Sequence, residues 1–179
     1  MMKKLLTTIS LALTLCLSLT TVFAAPSINK NGAVKKDSIL INGEKVDANT
    51  TAAFDSKKET YSAAGVSDET IDVIEKVNAN PSQLASLIKG VDLSGYSLLT
   101  EFQDLSVYVN GELKQKVKNV TLTWEVPNLV KTAKNVKVLH YSTERNTWEI
   151  LTPKSVDFDN KTITQEFKDL SPVAVIYQA

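Results

Sequence analysis

Residues 120–127 read VTLTWEVP, and this stretch decides the class of fold. Its apolar residues alternate with polar ones, which is the period of a β-strand with one buried face. Val120, Leu122 and Trp124 share that face, and Pro127 cannot continue the ladder of hydrogen bonds. The stretch therefore predicts a strand of an antiparallel sheet, with Trp124 in the core.

The same period of two continues on both sides of this strand. Leu105, Val107 and Val109 alternate up to Asn110-Gly111, a dipeptide typical of two-residue hairpin turns. Further strands are predicted at residues 136–141, 147–151, 156–158, 163–167 and 173–177. Several short strands at this spacing indicate an all-β sandwich, which we assign to residues 98–179.

Residues 38–97 predict a small α/β segment. Asn42-Gly43 lies between apolar residues and predicts a hairpin, whereas residues 48–64 show little periodicity. Ser67 is a good helix N-cap, and Asn80-Pro81 starts a second helix. Each helix has one apolar stripe and cannot form a core alone. The predicted fold is α+β: a small N-terminal hairpin and a two-helix segment packed on a C-terminal antiparallel Ig-like β-sandwich.

The first 24 residues predict a secretory signal peptide. Lys3 and Lys4 precede an apolar run over residues 5–19, and Val22 and Ala24 are small residues where a signal peptidase recognises them. We expect cleavage after Ala24, followed by a flexible leader over residues 25–37 that is rich in small and polar residues. No membrane insertion is expected after cleavage. The protein is predicted to be secreted or extracellular, with at most a loose association with the cell surface.

Cleavage would leave 155 of the 179 residues, enough for one domain with a real hydrophobic core. The single cysteine, Cys16, lies in the signal, so the mature chain has no disulfide and no thiolate chemistry. Two of the 20 basic residues leave with the signal, so 18 basic residues face 20 acidic ones. This slightly acidic balance argues against nucleic acid as a partner.

The predicted strands carry a set of motifs. They are Leu122-Thr-Trp124-Glu-Val-Pro127, Val138-Leu-His140-Tyr, Trp148-Glu149 and Asp169-Leu-Ser171-Pro-Val-Ala-Val175. Residues 101–179 thereby resemble the C-terminal β-sandwich modules of uncharacterised secreted or wall-attached proteins of Gram-positive anaerobic bacteria. The resemblance implies a fold and assigns no catalytic residue. Covalent attachment to the wall is not expected, because the chain has no Leu-Pro-x-Thr-Gly motif.

His140 is the only histidine, so metal sites or catalytic arrangements that need several imidazoles are excluded. A single triad with Ser171 or Ser142 remains possible in principle. No Gly-x-Ser-x-Gly elbow supports it, and each serine has a simpler role beside a turn or before Pro172. We therefore interpret His140 as a residue of a strand.

Acidic residues are the other route to hydrolysis. The candidates are Glu101, Asp104, Glu125, Glu149, Glu166 and Asp169. Paired carboxylates hydrolyse glycosides, but these residues fall on polar strand faces or in turns, and we interpret them as solvated charges. Asp157, Asp159 and Asn160 could supply oxygens to Ca²⁺, yet Lys161 and Thr162 break the EF-hand pattern, so a β-turn is favoured. No metal and no cofactor is predicted.

Trp148 and Tyr141 flank the same predicted turn and are the ligand-binding candidates. They either pack across strands or form an exposed platform for sugar rings. The function we expect is a secreted non-enzymatic protein, a cell-surface or extracellular interaction module for an unknown protein. The alternative is a small carbohydrate-binding module with a cell-wall or glycan partner, and a secreted hydrolase is the remaining reading.

Overall fold

The structure, a computed structural model, describes residues 28–114 and 116–178, so the predicted signal peptide lies outside the described residues. The chain forms mostly antiparallel strands in two packed sheets, and this confirms the predicted β-sandwich. The strands are β1 (Leu40–Ile41), β2 (Glu44–Lys45), β3 (Thr50–Asp55), β4 (Ser97–Leu98), β5 (Gln103–Val109), β6 (Glu112–Lys114), β7 (Lys118–Glu125), β8 (Lys134–Ser142), β9 (Thr147–Leu151), β10 (Ser155–Asp157), β11 (Thr162–Asp169) and β12 (Pro172–Gln178). The helices are α1 (Lys58–Ala63), α2 (Asp68–Ala79) and α3 (Leu84–Leu87), with 3₁₀ turns at Lys36–Ser38 and Pro81–Gln83.

The two sheets differ in their surroundings. The outer sheet has the order β10-β11-β7-β1-β2. The central sheet has the order β3-β5-β12-β8-β9, with β4 also paired to β12 and β6 to β5. One apolar cluster lies between the sheets, and a second lies between the central sheet and the helices. The central sheet is therefore covered on both faces.

Strand β7 contributes the centre of the cluster between the sheets. Val120, Leu122 and Trp124 are all buried there, as their alternation predicted. The Trp124 ring lies 5.9 Å from the ring of Phe54 and 6.1 Å from that of Phe167, in tilted arrangements. Tilted aromatic pairs are favourable because of the ring quadrupole, so one tryptophan joins both sheets.

The helices cover the other face of the central sheet. Ile71, Ile74 and Val77 of α2 are fully buried in the second cluster, as their helical spacing predicted. Asn78 fixes the position of the helix, because its side-chain amide donates to the backbone carbonyl of Phe102 at 3.0 Å and accepts from its N–H at 2.8 Å. In the described residues no helix is long and apolar enough to span a bilayer.

The helix ends follow their local signals. The Ser67 hydroxyl accepts a hydrogen bond from the backbone N–H of Thr70 at 3.3 Å and caps α2. The second predicted helix is shorter than expected: Pro81 opens a 3₁₀ turn, and α3 covers only Leu84–Leu87. The chain is extended again at Ile88, two residues before Gly90, which has φ 86°.

Residues 38–97 contribute strands to both sheets, in addition to the helices that pack on the central sheet. Strands β1 and β2 pair through Asn42-Gly43, and β1 also pairs with β7 in the outer sheet. Strand β3 pairs with β5 along its whole length. Its sequence, TTAAFD, has no marked alternation, so the strand was missed within residues 48–64.

Residues 28–37, which we assigned to a flexible leader, make hydrogen bonds to β7. The backbone N–H of Gly32 donates to the carbonyl of Glu125 at 2.7 Å, and that of Lys35 donates to the carbonyl of Thr123 at 2.8 Å. A Cβ on Gly32 would lie 2.7 Å from the Cβ of Glu125, so only glycine permits this approach. The side-chain oxygen of Asn31 accepts from the Trp124 indole N–H at 3.0 Å. This stretch is a closing segment of the sandwich.

Candidate functional site

Tyr141 and Trp148, the candidates for ligand binding, lie opposite each other on β8 and β9. Tyr141 is only 7% exposed, in the cluster beneath the helices. The Trp148 ring is half-buried and lies 5.1 Å from that of Tyr141, at an interplanar angle of 62°. It meets Phe102 in the same edge-on manner at 5.2 Å. The two rings pack across strands and do not form a flat exposed surface.

His140 and Ser171 do come together, as a triad would require. The Ser171 hydroxyl lies 2.8 Å from His140 Nε2, and it also donates to the backbone carbonyl of Tyr141. A hydroxyl has one proton, and a carbonyl can only accept, so the proton of Ser171 belongs to the Tyr141 carbonyl. His140 Nε2–H then donates to Ser171, and the imidazole does not act as its base.

Burial separates this pair from any substrate. His140 is 1% exposed and Ser171 has no exposed surface. Burial lowers the pKa of His140 to about 4, although Asp169 nearby raises it in part. The neutral imidazole packs 5.5 Å from the ring of Phe167. The arrangement is an internal connection between β8 and the start of β12.

Asp169 is buried beside this pair and is well supplied with donors. Its Oδ2 accepts from the Ser142 hydroxyl at 3.0 Å and from the backbone N–H of Glu144 at 3.4 Å. Its Oδ1 lies 3.5 Å from the Arg145 guanidinium, which also pairs with Glu149. Buried carboxylates are stable where donors surround them. Asp169 thus anchors the turn between β8 and β9.

Asp104 on β5 is buried without such a supply of donors. One oxygen, Oδ2, accepts from the Ser106 hydroxyl at 2.7 Å, whereas Oδ1 has no hydrogen-bond partner within the part of the chain described. Burial raises the pKa of Asp104 to about 6, the bond from Ser106 lowers it in part, and Asp55 directly opposite on β3 raises it further. A buried carboxyl with an unpaired oxygen lowers the stability of the fold, so its presence calls for an explanation.

A cavity of about 140 Å³ lies beside Asp104. It opens where β5 changes partners: Gln103 and Asp104 pair with β12, and Val107 to Val109 pair with β6. Leu105 and Ser106 lie between these two partners. The cavity is lined by Thr60, Ala63, Ala64, Gly65, Asp104, Leu105, Ser106, Leu113, Lys114, Lys116, Val117, Thr143, Glu144, Asp169 and Leu170. A split in the central sheet therefore brings two buried acids to one cavity.

The interpretation of Asp104 and Asp169 as solvated charges was wrong. Asp104 lies on the face of β5 that is turned away from the core between the sheets, and the end of α1 covers that face, so Asp104 has no exposed surface. Asp169 lies on the same face of β11 as Phe167, the face that packs against the central sheet, so it is buried as well. The expected docking of two helices on the sandwich was the signal that some polar strand face had to be covered.

Of the other acidic candidates, Glu166 is exposed, whereas Glu101, Glu125 and Glu149 are half-buried. The Asp157 carboxylate accepts from the backbone N–H groups of Asp159 and Asn160 at 3.0 and 2.9 Å, and this lowers its pKa. Residues 157–160 thus form a turn, as predicted. Within residues 28–114 and 116–178, no group of three or more His, Cys, Asp and Glu side chains is arranged to hold a metal ion.

Comparisons of the chain with family models, with curated proteins and with solved structures find no match.

Proposed function

We propose that the protein is a secreted, non-enzymatic module that acts outside the cell through contacts with another protein. One observation carries the proposal: the side chains best suited to chemistry are used inside the fold. His140 and Ser171 bond to each other and to the backbone beneath the surface, and Asp169 binds the turn after β8. Their roles support a scaffold whose surface, rather than a catalytic centre, does the work.

The finer parts of the proposal concern class and origin. The motif-bearing stretches lie largely on strands β7, β8, β9 and β12. From the motifs we further propose an Ig-like sandwich related to the modules of Gram-positive anaerobes that these stretches resemble. The cleavage site is tested by expressing the full chain in a bacterial host and measuring the exported mass. A mature protein that begins at Ala25 supports secretion, whereas an uncleaved cytoplasmic chain contradicts it.

A direct experiment distinguishes a protein partner from a glycan. Fluorescently labelled residues 25–179 are added to cells of the producing organism, before and after treatment with protease or with wall-degrading glycosidases. We expect saturable binding that protease removes and that soluble wall polysaccharide does not compete. Binding that persists after protease treatment and that soluble wall polysaccharide competes away would support the carbohydrate-binding alternative. Absence of saturable binding to cells and to medium proteins would contradict the proposal.

The aromatic platform has its own test, iodide quenching of tryptophan fluorescence in Trp124→Phe and Trp148→Phe variants. We expect Trp124 to be shielded and Trp148 to be quenched only in part, since its ring packs on Phe102 and Tyr141. The Trp148→Ala variant should lose about 2 kcal/mol of stability, less than a fully buried ring. Full quenching of Trp148, with unchanged stability in the alanine variant, would support the sugar platform instead.

A fluorophosphonate probe tests the non-enzymatic part, because it labels serines activated by a base. We expect no labelling of the folded protein, since the hydroxyl of Ser171 is bonded to a carbonyl and has no exposed surface. The Ser171→Ala variant is the matched control. Labelling that disappears in Ser171→Ala and in His140→Gln would identify a hydrolase.

A further inference from the structure

The cavity in the split of the central sheet combines two kinds of wall. Asp104 and Ser106 supply polar groups from β5. Leu105, Val117 and Leu170 supply apolar ones. The volume, about 140 Å³, is close to the roughly 150 Å³ of an engineered cavity that holds benzene. A small organic group therefore has room in the cavity. Because Asp104 has no surface accessible to water, contact with its carboxyl requires a local displacement of the lining.

Among the charged side chains discussed at the cavity, one carboxylate oxygen has no hydrogen-bond donor. Glu144 pairs with Lys118 at 2.5 Å, and Asp169 is bonded to the turn after β8. Lys114 lies 3.5 Å from Glu112. Asp104 Oδ1 is buried and has no partner among the described residues, with Asp55 directly opposite on the neighbouring strand. A positively charged hydrogen-bond donor would therefore complete the site at Asp104 Oδ1.

The geometry selects among cations. A guanidinium binds a carboxylate most favourably through both oxygens, but Oδ2 of Asp104 is already bonded to Ser106. Ca²⁺ and Mg²⁺ take six or more oxygens and Zn²⁺ takes four ligands, and the described residues supply no group of three or more His, Cys, Asp and Glu side chains for any of them. An ammonium group donates to single acceptors, and an aliphatic stem suits the apolar walls.

We propose that this cavity binds a primary ammonium group on a short aliphatic stem, presented either by a free alkylamine or by the lysine side chain of a protein. The head donates to Asp104 Oδ1, and the stem lies along Leu105, Val117 and Leu170. Because Asp104 has no exposed surface, the ligand enters by displacing the rim. Leu113 on β6 is 40% exposed there, and β6 is a short strand paired only with β5 among the described strands.

The test uses n-butylammonium chloride, titrated into residues 25–179 at pH 7.5 and followed by amide chemical shifts. We expect saturable shifts at Ser106 and Leu113. The affinity for butylammonium should fall at least tenfold in Asp104→Asn. It should be unchanged in the matched surface variant Glu112→Gln. n-Butanol and potassium chloride serve as controls for the stem and the charge. Equal binding of butanol, or no saturable shift with the amine, overturns the proposal.

A second measurement does not depend on a variant. The ¹³C shift of the Asp104 carboxyl reports its pKa, which should fall when the amine saturates the site. If this pKa is already ordinary in the free protein and rises in Lys116→Met, then the chain's own Lys116 fills the cavity and the proposal is overturned.

The source of the ammonium group is decided by Nα-acetyl-lysine-N-methylamide, with the norleucine analogue as its control. Binding of the lysine compound together with butylammonium assigns the site to a protein's lysine. Binding of the free amine alone assigns it to a small metabolite. Neither result depends on whether the protein acts at a cell surface, so the site and the proposed function are tested separately.

Discussion

Asp169 and Asp104 are the same side chain, buried to a similar degree, in opposite situations. Around Asp169 the chain supplies a serine hydroxyl, a backbone N–H and a guanidinium. Around Asp104 it supplies one hydroxyl and leaves Oδ1 beside a cavity. Burial alone therefore does not determine what a carboxyl group does in the fold. The hydrogen-bond donors around it determine whether both oxygens are paired, as in Asp169, or one oxygen has no partner among the described residues, as in Asp104.

The largest effect is expected for Asp169→Ala. Ser142, Glu144 and Arg145 would lose their common acceptor, and breaking such a buried charged cluster costs about 4 kcal/mol. Urea unfolding of residues 25–179 measures the loss. Asp159→Ala is the control, because that carboxylate pairs with Lys131 at the exposed surface and should matter by less than about 1 kcal/mol. Similar effects of the two variants would contradict the comparison.

Asp104→Asn should stabilise the protein at neutral pH, in contrast to the destabilising Asp169→Ala. The folded-state pKa of Asp104, about 6, lies above the unfolded value, so its ionisation favours unfolding as the pH rises from about 4 to 6. The variant should therefore gain about 3 kcal/mol relative to wild type between pH 4 and pH 7. Asp55 on β3 and Tyr61 in α1 are the other titratable groups coupled to it. Unfolding at both pH values gives the result, and a pH-independent difference would contradict it.

Ser171→Ala should cost about 2 kcal/mol, since the carbonyl of Tyr141 and the imidazole of His140 would each lose a buried partner. The loss should be the same at pH 6.5 and pH 8, because His140 remains neutral in the fold at both. Thermal unfolding at the two pH values measures it. A variant as stable as wild type would show that the contact is not a stabilising one.

The smallest expected effect is the coupling between the two acids. Asp104 and Asp169 both line the cavity, but Asp55, and not Asp169, is among the groups that raise the pKa of Asp104. A double-mutant cycle of Asp104→Asn and Asp169→Ala should therefore give a coupling below about 0.5 kcal/mol. A coupling above about 1 kcal/mol would join the two acids into one site and remove the comparison.

Much of the fold follows from local patterns. The alternation over residues 120–126 places Trp124 in the core, and Asn42 and Asn110 adopt positive φ in the two predicted hairpin turns. Hairpin turns and alternating strands depend on residues that are close together in the sequence, so a single sequence is enough to predict them. Strand β3 was missed because pairing with β5, not its own pattern, makes it a strand.

The site could not be predicted in the same way. Asp104 and Ser106 form the polar side of an alternating strand, and that pattern is typical of a solvated face. Their burial depends on the end of α1, and the cavity depends on where β5 exchanges β12 for β6. Both are tertiary facts, set by residues more than 40 positions away in the case of α1. No local pattern records them.

The segment at residues 28–37 has a consequence for how the molecule assembles. Asn31 is 72 positions from Gln103 and 93 from Trp124, the two residues it bonds. Contacts this distant can form only after most of the chain has been gathered, and such topologies fold on the order of milliseconds to seconds. Residues 28–37 thus reach their positions only once β7 has formed. Until then the indole N–H of Trp124 lacks the Asn31 oxygen to which it donates in the folded chain.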